Sequence, residues 1–328
     1  GLVPMLRVFN ATAAYVDQCF VPETIVYTPR GPMEMQHVVE GETRLFNVKG
    51  EAALVEKVLE HAYNGAMFEI STMHSLQPMI VTPEHPLLVV SGQTQNYRVL
   101  RNRLEKGLVE LEYKEAKDCA KMDLMAISIP TFEKDRIEIS AEDCYFYGLL
   151  LGDGFCERGG SGHLTLHSVT KRAVLDFAVQ YLHGKCVHCN ITTKTENCNR
   201  IRWSASLALP FRRSELYDEQ GVKRVHPKWL NLPIQKALQI VRGLIDTDGC
   251  KGKELVFDST SRNLIESMRY LLLRAGIPSS GYERDRRGES HITVHGDRIE
   301  NKKISWTLRI PKTEVIAELL GIEAGRFV

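Results

Sequence analysis

No run of 18 apolar residues occurs anywhere in the 328-residue chain, which excludes a membrane-spanning helix. The opening Gly1-Leu2-Val3-Pro4-Met5-Leu6-Arg7 lacks the basic-then-apolar pattern of a secretory signal. Neither membrane attachment nor export is therefore expected, and an intracellular, reducing, cytoplasmic setting is. An initiator methionine is also missing, as expected of a fragment. One-sided charge is absent too: the net charge of +1 rules out a nucleic-acid binder that works by bulk charge alone. There is no glycine-rich phosphate loop and no nicotinamide-nucleotide fingerprint. The eight cysteines are unevenly spaced, which points to free thiols rather than a disulfide framework. Cys186-Val187-His188-Cys189, with His183 and Cys198 nearby, contains one C-x-x-C pair, and a single pair is not enough to predict zinc.

What is present is uneven along the chain. At roughly 150 residues per domain the length predicts about two domains. Residues 20 to about 130 read as short strands with turn punctuation, among them Thr24-Ile25-Val26-Tyr27, Met67-Phe68-Glu69-Ile70 and Leu87-Leu88-Val89-Val90, which predicts an all-β domain. From Ala141 onward apolar helical runs alternate with strands, and Pro130-Thr131-Phe132-Glu133-Lys134-Asp135-Arg136 reads as a linker. The boundary is expected near residue 135. Residues 1–140 carry a net −5 and residues 141–328 a net +6, so a polyanion should meet the second half.

That second half repeats itself. Tyr147-Gly148-Leu149-Leu150-Leu151-Gly152-Asp153-Gly154 ends one apolar helix, and Arg242-Gly243-Leu244-Ile245-Asp246-Thr247-Asp248-Gly249 ends another, 95 positions on. A strand and a helix follow each, and Arg200-Ile201-Arg202-Trp203-Ser204 is matched by Lys303-Ile304-Ser305-Trp306-Thr307. Two copies of an α/β unit imply a pseudo-two-fold domain, with repeats of about 141–235 and 236–318. Gly148 and Gly243 stand five residues before Asp153 and Asp248 and would let the two helices touch. Both carboxylates would then project to one point. A single Asp-Gly after an apolar helix is a capping turn; two in matched context invite a divalent cation, which relieves the repulsion between the carboxylates and leaves positions for water and phosphate oxygens. Metal-assisted phosphodiester hydrolysis is the natural chemistry of such a pair.

These two segments resemble the paired motifs of the LAGLIDADG (DOD-type) homing endonucleases. The resemblance implies a saddle of two four-stranded sheets of αββαββα type that grips duplex DNA in the major groove and hydrolyses both strands as a monomer, with Mg²⁺ or Mn²⁺. Asp153 and Asp248 would be the catalytic metal ligands. The first copy departs from the pattern at Leu151 and Gly152, where the second has Asp246 and Thr247. A basic residue assists each centre in that family. Lys228, in His226-Pro227-Lys228-Trp229-Leu230-Asn231-Leu232-Pro233, resembles one of them, and Lys303 and Lys312 are candidates for the other. DNA contacts should come from strand positions that alternate with apolar residues: His163, Thr165 and His167; Arg200 and Arg202; His291, Thr293 and His295. Arg284, Arg286, Arg287 and Lys303 suit phosphate contacts.

Upstream, Cys19-Phe20-Val21-Pro22-Glu23-Thr24 and Val81-Thr82-Pro83-Glu84-His85-Pro86 resemble the first cysteine and the Thr-x-x-His segment of an intein, whose all-β Hint splicing domain commonly hosts a LAGLIDADG insert. The resemblance implies that the Cys19 thiol attacks the Gln18 carbonyl in an N–S acyl shift, while Thr82 and His85 polarise that peptide bond and protonate the departing amine. Residues 1–18 resemble the large subunit of a class I ribonucleotide reductase, apart from Ala14, and would be a host tail. Residues 19–135 would be the splicing domain, 136–318 the endonuclease, and 319–328 the start of a truncated C-terminal splicing segment. On that reading the chain cannot ligate by itself, and a C-terminal intein fragment is an expected partner. The remaining expected partners are the flanking reductase segments and double-stranded DNA at the intein-free host site. Two other outcomes stand beside this one: a DNA-binding remnant that no longer cuts, and a splicing fragment that acts only in trans.

Overall fold

The computed structural model describes residues 3–9, 19–91, 96–292 and 298–325, with the backbone alone at 3–9, 97, 291 and 299. It divides into two compact units, residues 1–132 and 133–328. Among the described residues seven helices occur: α1 (Tyr97–Glu105), α2 (Ala141–Gly152), α3 (Arg172–Gly184), α4 (Pro227–Leu230), α5 (Ile234–Asp248), α6 (Arg262–Arg274) and α7 (Glu314–Leu320). None is long and apolar enough to cross a membrane.

The first unit consists mainly of short antiparallel strands. Ile25–Thr28 pairs with Gly31–Glu34, Arg44–Phe46 with Ala52–Leu54, Phe68–Ile70 with Met79–Val81, and Val3–Phe9 with Lys57–Tyr63. Pro86–Val90 is flanked by Glu112–Glu115 and Leu124–Met125. Two small apolar clusters hold these ribbons, one around Met35, Val38 and Val55 and one around Val81, Leu87, Val89 and Ala116. Phe20 packs against both clusters, so its neighbour Cys19 is fully buried. The all-β expectation passes over α1, a nine-residue helix. Its arginine-rich sequence hides the apolar stripe, and what starts it is Asn96, whose side chain accepts hydrogen bonds from the Arg98 and Val99 amides.

The second unit contains the repeat. Gly154–Cys156, Gly162–His167, Cys198–Trp203 and Cys189–Thr195 form one four-stranded antiparallel sheet in that order. Gly249–Lys251, Leu255–Ser259, Ser305–Ile310 and Ser280–Arg284 form the other in the same order. In each repeat the chain runs long helix, two strands, helix, two strands, and the tryptophan-bearing segments around Trp203 and Trp306 supply corresponding inner strands. The second repeat adds a hairpin, Ser290–Ile292 with Arg298–Glu300. The core centres on α2 and α5. Residues 143–151 of α2 are all buried, α5 buries Leu238, Ile240, Val241, Leu244 and Ile245, and each fully buried leucine or isoleucine contributes about 1.5–3 kcal/mol. Such an all-round apolar helix has no solvent face, so α2 lies inside the unit. Ser140 and Asp143 form a capping box at its start, and Asp143 also accepts from the Tyr181 hydroxyl at 2.7 Å.

Candidate functional site

The contact between α2 and α5 is set by glycine. A Cβ on Gly148 would lie 2.4 Å from the Ile240 carbonyl oxygen, and one on Gly243 would lie 2.4 Å from that of Tyr145. These are backbone atoms that cannot swing aside, so only hydrogen at both positions permits the approach. One turn further on, a Cβ on Gly152 would overlap the Thr247 side chain and come within 3.3 Å of Asp248 Oδ2. Thr247 itself is pinned, its hydroxyl donating to the Gly243 and Leu244 carbonyls at 2.9 Å. The two helices thus end side by side. Asp153 caps α2 and Asp248 is the last residue of α5, and their carboxyl groups are near enough for the charge of one to oppose ionisation of the other. Burial, reinforced by the Asp153 charge, pushes the Asp248 carboxyl up to about 6, while Lys223 and Lys171 hold it back.

Both lysines reach this point. Lys171 Nζ donates to Asp153 Oδ2 at 2.8 Å and to the carbonyl of Thr247, the residue before the opposite aspartate. Lys223 Nζ donates to the carbonyl of Gly152, the residue before Asp153. Burial lowers the Lys223 ammonium, against the raising effect of Asp248 and Asp153. The two lysines arrive differently. Lys171 is the residue before α3; the residue before α6 is Ser261, whose hydroxyl donates to the Lys223 carbonyl at 2.6 Å and so ties down the segment that brings Lys223 in. His167 shapes the turn to Lys171, its Nδ1 accepting from the Val169 and Thr170 amides.

These two lysines correct the expectation placed on Lys228. Its ammonium donates to the Pro210 carbonyl at 2.6 Å and to Glu215 at 3.1 Å, because α4 buries Trp229 completely and turns the lysine beside it toward that acid. Lys312 donates to the Gly252 carbonyl, and Lys303 is exposed. Neither of the alternatives is bonded to the aspartates.

The donor set suits a hard divalent cation. Among the described residues no group of three or more His, Cys, Asp or Glu is placed to hold a metal. Two carboxylates plus the Gly152 and Thr247 carbonyls are oxygen ligands of the kind Mg²⁺ and Mn²⁺ take, with water completing the shell. The same oxygens already draw in two ammonium groups, which act as stand-in cations.

The first sheet presents a polar face. His163, Thr165 and His167 alternate with buried Leu164 and Leu166, and His163 and Thr165 lie opposite Arg202 and Arg200. Arg200 Nε donates to the Thr165 hydroxyl at 3.0 Å. Asn190 and Thr192 extend the same face, opposite Arg202 and Arg200. Burial, helped by Arg200 and Arg202, lowers the His163 imidazole, which favours its neutral form. On the second sheet the Arg284 and Arg309 guanidinium groups lie over the Tyr282 ring, each 5.2 Å from its centre. Arg287 pairs with Asp285 at 2.6 Å and Arg286 approaches Glu289 at 4.0 Å. His291 lies on the added hairpin, while Thr293 and His295 fall outside the described residues.

The first unit joins three residues quoted from the sequence. The Cys19 amide donates to the Thr82 hydroxyl at 3.0 Å, the Thr82 amide donates to the Cys19 carbonyl, and the His85 amide donates to the Thr82 carbonyl. The His85 ring meets Phe20 edge-on, 4.1 Å between centres. His61, on Lys57–Tyr63, stands 3.8 Å from Cys19 Sγ. Sequence reasoning missed His61, Lys171, Lys223 and Arg309. Each is reached through strand pairing or a turn, and no local motif marks it.

Residues 235–310 match the family model of the LAGLIDADG-like domain. The matched span opens at the start of α5, includes Asp248, and closes on the last residue of Ser305–Ile310, so it covers the second of the two sheets. Over 240 residues, 69% of this chain, it is 29% identical to the ATP-dependent DNA helicase Hel308 of Methanocaldococcus jannaschii. Over 90% of this chain it is 22% identical to an uncharacterized protein of the same organism, MJ0043. The aligned parts are 18% and 44% of those proteins, so this chain spans less than half the length of either. A solved structure of mesophilic variants of the homing endonuclease I-DmoI covers 57% of this chain and 98% of its own, at 16% identity and a TM-score of 0.37.

Proposed function

We propose that residues 133–328 are a divalent-metal-dependent endonuclease acting on duplex DNA at the intein-free host site. The observation that carries this reading is the pair of aspartates brought together by two glycine-packed helices, between two repeats of like topology. Asp153 and Asp248, with the Gly152 and Thr247 carbonyls, would hold Mg²⁺ or Mn²⁺. When bound, the cation polarises a phosphodiester and makes its bound water a better nucleophile. The chain's own groups do the remainder. Lys171 and Lys223 place ammonium charge against the phosphate as negative charge develops there. His163, Arg200 and Arg202 on one sheet, and Arg284 and Arg309 on the other, hold the backbone and read base edges.

The first unit is read as the N-terminal part of an intein splicing domain carried in a ribonucleotide reductase host, within a reducing cytoplasm. Cys19 Sγ attacks the Gln18 carbonyl carbon; a C–S bond forms and the Gln18–Cys19 amide breaks, leaving a thioester. His61 Nε2, 3.8 Å from Sγ, would take the thiol proton, and His85 would protonate the departing Cys19 amine. Thr82 keeps the Cys19 amide oriented. A C-terminal fragment would be needed for ligation.

The decisive experiment incubates the purified chain with Mg²⁺ and a plasmid carrying the joined reductase sequence around the Gln18 codon, against a scrambled site. Linearisation of the first plasmid alone is expected, with Asp248→Asn still binding but not cutting. Binding without cutting would replace this reading with a DNA-binding remnant, and neither would overturn it.

A further inference from the structure

Apart from the aspartate pair, the second unit carries a cavity of about 510 Å³ on the segment joining the two repeats. Four guanidinium groups line it, those of Arg158, Arg212, Arg213 and Arg224. Two carboxylates share the lining, Asp218 and Glu219. Elsewhere in this unit arginines find acids: Arg172 with Asp176, Arg269 with Glu266, Arg287 with Asp285. Among the described residues none of the four cavity arginines has an ion-pair partner within 4.0 Å. Two of the nearby acids, Glu215 and Asp218, are already engaged. Glu215 accepts from Lys228 Nζ and Trp229 Nε1, and Asp218 Oδ1 accepts from the Val222 amide.

Two of the four arginines are also held in place. Arg212 Nη1 donates to the Leu209 and Phe211 carbonyls, each at 2.7 Å. Arg213 Nη1 donates to the Cys156 carbonyl at 2.6 Å, and its guanidinium lies over the Tyr217 and Phe155 rings, 4.4 and 5.4 Å from their centres. Arg224 Nε is buried and has no hydrogen-bond partner. Four guanidinium groups against two carboxylates leave the lining with a surplus of positive charge, and an anion with several oxygens relieves the repulsion among the arginines. Guanidinium forks match the paired oxygens of phosphate, and fixed arginines lose little entropy on binding it.

From this arrangement we infer that the cavity is a phosphate site, filled in use by the backbone of the duplex next to the cleaved position. The inference rests on the nuclease reading only for the source of the phosphate. Its placement favours DNA: Arg213 is bonded to Cys156, three residues beyond Asp153 along the strand Gly154–Cys156. At ~3.3 Å per strand residue that is about 10 Å from the aspartate. At ~3.4 Å of duplex axis per phosphate of one strand, this corresponds to about three phosphates from the cut.

The test measures DNA affinity of the full chain by fluorescence anisotropy between 50 and 300 mM NaCl, in EDTA, for wild type and for Arg158→Gln/Arg212→Gln. Arg158→Glu serves as a second variant, since Arg158 is an exposed turn residue whose replacement leaves the core untouched. Losing one phosphate contact should lower the slope of log K against log salt by about 1, equally for target and scrambled duplex. In parallel, thermal melts with inorganic pyrophosphate read the cavity without DNA. A lowered slope places the duplex backbone in the cavity. An unchanged slope with arginine-dependent stabilisation by pyrophosphate keeps the phosphate site but assigns it to a free ligand and overturns the DNA source. If neither variant changes either readout, the inference is wrong. Should wild type fail to cut DNA while pyrophosphate still stabilises it through these arginines, the nuclease reading fails and the phosphate site stands.

Discussion

At Asp248 burial and the adjacent Asp153 oppose ionisation, so the folded carboxyl titrates near 6 rather than at its ordinary 3.8. Between those values the folded protein holds a proton that the unfolded chain releases, and stability therefore falls as pH rises through this window. Asp248→Asn removes the titration while keeping the shape. At pH 7.5 the variant should be more stable by about 1–2 kcal/mol, raising Tm by roughly 2–6 °C, with no gain at pH 3.5. Calorimetric melts at the two pH values check this, and equal melting at pH 7.5 would contradict it. Lys171 is tested from the other side. Its ammonium occupies oxygens that a cation would use, and a part-exposed ion pair of this kind is worth at most about 1 kcal/mol. Lys171→Met should therefore tighten Mn²⁺ binding by up to about fivefold, read by the loss of the free-ion paramagnetic resonance signal, even as cutting falls. Weaker Mn²⁺ binding would instead mean that the lysine helps to build the site.

The helix pair is the element on which the site depends, and it is also what the sequence displays most openly. Glycine at 148 and 243, five residues before each aspartate, is a local signature because close helix contact requires the missing side chain itself. The carboxylates then follow from helix geometry. Nothing comparable marks Lys171 or Lys223, whose positions depend on a turn held by His167 and on a hydrogen bond from Ser261. Lys228 misled because a lysine in a suggestive motif says nothing of the acid, Glu215, that folding puts beside it. Helix α1 was hidden because its nine residues include three arginines, and its start is written only in Asn96. Gly148→Ala tests the helix contact. With the new Cβ 2.4 Å from a carbonyl oxygen, α2 and α5 must separate, at a cost of about 1–3 kcal/mol in urea unfolding. Gly184→Ala, in a helix and with nothing within 4 Å, should be neutral or stabilising by up to about 1 kcal/mol. Equal effects of the two changes would remove the helix contact from the account.

For the whole molecule, the two proposed chemistries would use residues from different units: Cys19, His61, Thr82 and His85 from residues 1–132, and Asp153, Asp248, Lys171 and Lys223 from residues 133–328. A thioester at Cys19 makes residues 1–18 releasable by hydroxylamine or dithiothreitol. Mass spectrometry should detect that loss from the wild-type chain, and Cys19→Ala should abolish it. His61→Ala should slow it, because the imidazole 3.8 Å from Sγ would be the group that takes the thiol proton. If each proposed chemistry is confined to its own unit, Asp248→Asn should leave release unchanged and Cys19→Ala should leave DNA cutting unchanged, the double variant showing the simple product of the two single effects. A cutting rate that responds to Cys19→Ala would show that the two units act as one machine.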